Sequence, residues 1–213
     1  MNIYRFVFNP IEVNTYVIAD RSGDCAIIDC GCFESGEFDK LRDFIIKKNL
    51  KPVMLLNTHC HLDHIFGDGL ILEHYKLSAC CHKDEIFNRE NSVKVAEFFG
   101  LVMDAPPEPG SYLVDGEVIA LGEIEFRALH VPGHSAGSLA YYFEGENVVF
   151  TGDALFGGSI GRTDLPGGNY EILINSIKAK LFTLPPQTVV YPGHGSATTI
   201  EREISTNPYF VHS

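Results

Sequence analysis

Three imidazoles and a carboxylate, all metal-ligand types, fall within the seven residues Thr58-His59-Cys60-His61-Leu62-Asp63-His64. Packing a core calls for nothing of the kind, since polar and charged side chains rarely go inside. Imidazole nitrogen and carboxylate oxygen suit zinc first, with iron or manganese also compatible. The cluster offers more ligands than one tetrahedral ion with an open catalytic position uses, so two divalent ions are the expected count. The H-E-x-x-H helix of zinc proteases is absent, which removes that reading.

An apolar run, Pro52-Val53-Met54-Leu55-Leu56-Asn57, reads as a buried strand that delivers the cluster at its end, where active sites of layered α/β folds collect. In extended chain His59 and His61 face one side, and Cys60 and Leu62 the other. A turn into a helix at Asp63 and His64 swings those two ligands towards a second point. Three later segments repeat a strand-then-turn pattern. Pro132-Gly133 after the Ile124 to Leu129 strand presents His134 on a loop, while His130, still on the strand, reads as a partly buried or supporting histidine. Val148 to Asp153 is a buried strand ending in a carboxylate that could bridge two cations. Val189 to Gly195 ends likewise in Pro-Gly-His-Gly around His194.

The order H-x-H-x-D-H, then His, Asp and His resembles the metallo-β-lactamase superfamily, and Ala26-Ile27-Ile28-Asp29-Cys30-Gly31 resembles its first motif. Phe156 to Asp164 and the Pro-Gly-His-Gly are most similar to the glyoxalase II group, in its compact bacterial type. The resemblance implies that His59, His61 and His134 hold one ion, that Asp63, His64 and His194 hold the other, and that Asp153 bridges them. Asp29 would support the metal-binding loop without ligating. It also implies an α/β fold, an αββα sandwich of two mixed β-sheets flanked by helices. The coarse pattern agrees. Strand-like runs at Ile3 to Phe8, Val13 to Ala19 and Cys25 to Asp29 precede a helix predicted over Phe38 to Lys48, and Tyr170 to Leu181 and Thr199 to Ile204 read as further helices.

With 213 residues, 45% hydrophobic and 21% charged, and no linker-like stretch, residues 1–213 are expected to form one domain. No secretory signal or membrane-length apolar run is present, so a cytoplasmic location is the expectation, with the six cysteines as reduced thiols. Cys60 points away from the ligands by strand alternation. A formal net charge of −12 argues against nucleic acid and leaves a small-molecule substrate. Arg162 has two readings: a bidentate partner for a substrate carboxylate, or a partner for Asp164 that holds its loop.

The chemistry expected of such a site is hydrolysis by activated water, with Asp63 and Asp153 at its centre. A thiol leaving group, with a pKa of about 8.5, departs without a strong general acid. Because no dedicated acid stands out, thioesters are favoured over amides, and S-lactoylglutathione or a related hydroxyacyl thioester is the implied substrate. Two alternatives share the motif set: a mononuclear-iron persulfide dioxygenase, and a lactone or β-lactam hydrolase. The dioxygenases share Gly161-Arg162-Thr163-Asp164 but resemble Pro-Ala-His-Asp where this chain has Pro192-Gly193-His194-Gly195.

Overall fold

The computed structural model describes residues 1–211, whose strands sort into two six-stranded sheets and a short hairpin. In the first sheet β1 (Asn2–Phe8), β2 (Val13–Ala19) and β3 (Asp24–Ile28) are antiparallel neighbours, and β4 (Lys51–Leu56), β5 (Ala79–Cys81) and β6 (Ser111–Tyr112) continue from β3 in parallel. In the second, β7 (Val118–Leu121), β8 (Ile124–His130), β9 (Leu139–Phe143) and β10 (Val148–Gly152) form an antiparallel meander. The hairpin β11 (Leu155–Phe156) and β12 (Ser159–Ile160) follows, after which β13 (Val189–Pro192) joins β10 in parallel and β14 (Thr198–Thr199) closes the order. Both sheets are mixed.

The layering follows from period-2 side-chain alternation in strands whose two faces are both covered. Tyr16, Ile18, Ala26 and Ile28 of the first sheet meet Phe126, Tyr141, Phe143 and Phe150 of the second in one inner core. The alternate residues Val17, Ile27 and Leu55 face outwards onto Phe38, Leu41 and Ile45 of α1 (Ser35–Lys47). Leu129, Ala140, Val149 and Val190 do the same beneath a helical layer on the second sheet. The result is the four-layer αββα arrangement.

The remaining helices are α2 (Leu62–Ile65), α3 (Asp68–Tyr75), α4 (Ile86–Phe98), α5 (Tyr170–Ser176) and α6 (Ile200–Thr206). Helix α1 starts three residues before the predicted Phe38, because Glu34 and Glu37 form a capping box whose polar residues carry no apolar periodicity. The predicted Tyr170 to Leu181 helix is α-helical only to Ser176 and finishes as a π-turn over Ile177–Leu181. At the last helix Thr199 is the cap, its hydroxyl accepting from the Arg202 N–H, so the helix proper begins at Ile200.

Helix α4 has no counterpart in the sequence reading, and its anchoring shows why. It buries Arg89, Ser92 and Ala96, not a hydrophobic stripe. The Arg89 guanidinium donates to Asp68 on α3 at 2.9 Å, to Asn57 at 3.2 Å and to the Pro107 carbonyl. Removing one member of a buried pair strands the other charge, so Asp68→Asn, which keeps a hydrogen bond but loses the ion pair, is expected to cost about 3 kcal/mol. Urea unfolding of both proteins checks this; a loss below about 1 kcal/mol would show that Arg89 is satisfied without Asp68.

Candidate metal centre

The strand ends do what the spacing implies. β3 and β4 are paired through Ile28 and Leu56, so the chain leaves both strands side by side and brings Asp29 next to Thr58. Asp29, in a left-handed conformation with φ 51°, accepts from the Thr58 N–H at 2.7 Å and the Thr58 hydroxyl at 2.6 Å, which itself lies 3.1 Å from His59 Nδ1. Its other partner is His64 Nδ1 at 2.9 Å. His61 caps α2, whose first turn carries Asp63 and His64 round to the second point. His194 arrives on the loop after β13, which Asn14 and Tyr16 of β2 hold by donating to the Pro192 carbonyl at 2.9 and 2.7 Å.

Ligand atoms of His59, His61 and His134 lie within 4.8 Å of one another, and so do those of Asp63, His64 and His194. Asp153 stands between the sets. Its Oδ1 is 3.4 Å from His64 Nε2, and its Oδ2 is 3.5 Å from His194 Nε2 and 3.7 Å from His134 Nε2. All seven predicted ligands are therefore in one cluster.

The ring orientations test whether ions fit. The outward nitrogens are occupied by protein: His134 Nδ1 by the Arg162 carbonyl at 2.8 Å, His194 Nδ1 by the Glu12 carbonyl at 3.2 Å, and His64 Nδ1 by Asp29. The inward ones converge, with His59 and His134 Nε2 only 3.1 Å apart, close to the about 3.3 Å that separates two nitrogens on one tetrahedral zinc. His64 Nε2 and Asp153 Oδ1 are buried with no hydrogen-bond partner among the described residues, an unfavourable state that a cation would relieve. The residues fit a metal centre.

The charges point the same way. Burial, reinforced by the His64, His61 and His134 rings, holds His59 well below the usual imidazole range. Burial opposes charge on His64 too, but Asp63, Asp153 and Asp29 outweigh it and push its pKa well up. Asp153 is held low in spite of its burial, by His64 first and then by His134 and His194. Crowded carboxylates that retain a proton on a fully buried imidazole are a site that cations can occupy in the proton's place.

Sequence reasoning missed Glu85. This buried carboxylate accepts from the Cys60 N–H at 2.8 Å, between two ligands, and from the Ser135 hydroxyl at 2.5 Å and the Gly137 N–H at 2.8 Å, just after a third. It ties the His59–His61 loop to the His134 loop. Nothing in Lys83-Asp84-Glu85, an ordinary charged turn, announces this. Gly193 is similarly silent: a Cβ there would collide with Asp153 Oδ1, so the approach of the His194 loop to the centre requires glycine.

Three other residues resolve. Arg162 forms a bidentate pair with Asp164 at 2.7 and 2.8 Å, the second of its two readings, and serves the centre through its carbonyl. His130 joins neither ligand set; its Nε2 lies 2.9 Å from the Ala136 carbonyl and its ring stacks on His82. The Cys60 thiol turns to Arg89 at 3.8 Å, and burial and Cys81 push its pKa well up.

The family model described as "Metallo-beta-lactamase superfamily" matches residues 9–194. The chain belongs to the metallo-beta-lactamase superfamily. Its relatives include "Hydroxyacylglutathione hydrolase GloC" of Haemophilus influenzae, 37% identical over 98% of each chain. "Probable metallo-hydrolase YqgX" of Bacillus subtilis is 36% identical over 96% of this chain and 95% of its own. The chain is thus a metallohydrolase. Among solved structures, the BLEG-1 B3 metallo-beta-lactamase superposes with a TM-score of 0.91 at 31% identity over 99% of this chain and all of its own. TTHA1623 in a di-iron-bound form gives 0.88 at 36% over 97% and all of its own, and ETHE1 from Myxococcus xanthus 0.80 at 26% over 100% and 89%.

Proposed function

We propose that this metallohydrolase cleaves thioesters, in the manner of a hydroxyacylglutathione hydrolase. Two divalent ions, zinc in the first instance, would be held by His59, His61 and His134 and by Asp63, His64 and His194, with Asp153 available to both sets. The observation that carries the substrate class is the end-to-end likeness to GloC at 37% identity over 98% of both chains. When bound, the ions supply Lewis acidity for a carbonyl and an activated water.

The chain supplies the rest. Asp63, held below the usual carboxylate range chiefly by His64 and His194 against its own burial, stays ionised and orients the attacking water. The Asp29 carboxylate and the Arg162 carbonyl fix the rings of His64 and His134, so no rotamer search precedes the reaction. Among the described residues, no side chain outside the candidate ligand sets is assigned as a dedicated acid for the leaving group. A thiolate needs none. A cavity of about 530 Å³ beside His61, Asp63, His134, Asp153 and His194 admits a small molecule.

A second reading, the mononuclear-iron persulfide dioxygenase, draws on the likeness to ETHE1, and a β-lactam hydrolase on that to BLEG-1. The second ligand set, Asp63, His64 and His194, favours two ions over one. The test assays S-lactoylglutathione, a persulfide with oxygen uptake, and a β-lactam, alongside metal analysis of protein purified without added metal. Thioester turnover with two ions per chain is expected. Persulfide-dependent oxygen consumption with one iron would replace the proposal.

Water, not a thiol, is the nucleophile in this reading, although Cys60 sits inside the ligand cluster. A thiol turned to Arg89 with a raised pKa is a poor attacker. Cys60→Ser should stay within about threefold of the parent in kcat/KM, whereas a thousandfold loss, about 4 kcal/mol, would point to covalent catalysis.

A further inference from the structure

Helix α4 is built inside out. At 100° per residue, Arg89, Ser92 and Ala96 fall on one side and face the protein, while Phe87, Asn91, Val95 and Phe98 fall on the opposite side. Phe98 is 85% exposed, and Phe87 and Phe99 are each 57% exposed. A helix normally turns its apolar stripe inwards, and a cluster of exposed phenylalanines of this size marks a surface with an occupant.

The place of this face says what the occupant is. Phe87, Val95, Phe98 and Phe99 line the same cavity as His61, Asp63, His134, Asp153 and His194, and Leu165 and Pro166 add to its apolar lining. Its volume of about 530 Å³ is that of a small-molecule pocket. The Arg162 guanidinium that borders it is committed to Asp164, and Lys94, Asn88 and Asn91 add polar groups to a lining in which the phenylalanines supply the bulk of the apolar surface. We infer that this α4 wall is a binding site for a bulky apolar group of the substrate, so that the preferred thioesters carry an alkyl or aryl group of several carbons next to the scissile bond. This rests on the thioesterase reading above and goes beyond it by naming what the enzyme selects.

The apolar group could lie on the acyl side or the thiol side, and two substrate series separate them: straight-chain acyl thioesters of one short thiol, and acetyl thioesters of alkyl thiols of growing length. Each buried methylene stabilises by roughly 0.8 kcal/mol, so kcat/KM should climb about two- to fourfold per methylene along one series until the pocket is filled. In a Phe98→Ser, Phe99→Ser double variant the ratio of longest to shortest substrate should fall at least about tenfold. That ratio is internal to each protein, so a general loss of activity cancels, and both positions are exposed enough for the fold to tolerate serine. Turnover with no dependence on chain length, or a dependence unchanged in the double variant, would overturn the inference and leave the thioesterase reading standing. Sedimentation showing a dimer that the double variant dissolves would overturn it in favour of a second copy on this face. No turnover of any member would remove the thioesterase reading, and the inference with it.

Discussion

Substituting Asp153 by alanine is expected to reduce metal content from two ions per chain to below one and to lower kcat/KM by at least about a thousandfold, or about 4 kcal/mol. The expectation comes from its position. Asp153 Oδ1 faces His64 and Oδ2 faces both His134 and His194, so its two oxygens touch members of both ligand sets. On the proposed two-ion reading, removing it would take a ligand from each ion at once. It also removes one of the negative charges that offset the cations, and leaves His64 Nε2 facing an apolar methyl. Metal analysis after dialysis, with anomalous scattering to place what remains, measures the effect. A variant that keeps one full ion on His59, His61 and His134 and loses only the other would show that Asp153 belongs to a single site and that the two ions are held independently.

The candidate metal cluster was legible because residues of these types at this spacing have no role in packing a core. Histidines two apart at a strand end and a carboxylate after a buried strand are expensive arrangements that nothing but a centre requires, and their order along the chain resembles one superfamily. The sheets were legible for a related reason. Strands such as Val13–Ala19 and Val148–Gly152, buried along their whole length, read as strand-like runs rich in β-branched and aromatic residues, although Asn14 and Thr15 interrupt the first. What escaped was whatever depends on a residue's partners more than its type. Glu85 is one glutamate among many until the fold closes four backbone and side-chain donors around it, those of Cys60, Asn88, Ser135 and Gly137. Arg89 looks like a surface charge, yet it anchors α4 from within. Helix α4 was invisible for the same reason, since its apolar residues mark a pocket wall, not a core face, and periodicity reports only that a stripe exists. Arg162 fell between these cases: its two readings used the same guanidinium, and only the distance to Asp164 separates them.

Glu85 is therefore the position where a change to a residue outside both candidate ligand sets should matter most. Glu85→Ala leaves the buried N–H groups of Cys60 and Gly137 and the Ser135 hydroxyl without their acceptor, apart from the Ser138 hydroxyl within reach of Ser135. Each orphaned group costs about 1–3 kcal/mol, so a loss of the order of 5 kcal/mol in unfolding free energy is expected. Glu85→Gln separates fold from function. It keeps the volume and one acceptor oxygen but turns an amide N–H towards donors that already occupy the site, and so loosens one loop while the other stays tied. Removal of such an outer support for metal ligands costs about 10–100-fold in metal affinity or activity, or about 1.4–2.7 kcal/mol. The two loops carry His59, His61 and His134, so the first ion should weaken more than the one on Asp63, His64 and His194. Competitive chelation of the glutamine variant, with each ion's release followed separately, distinguishes this from a general loss of stability. Equal weakening of both ions would show that Glu85 supports the fold at large and does not position that one half of the centre.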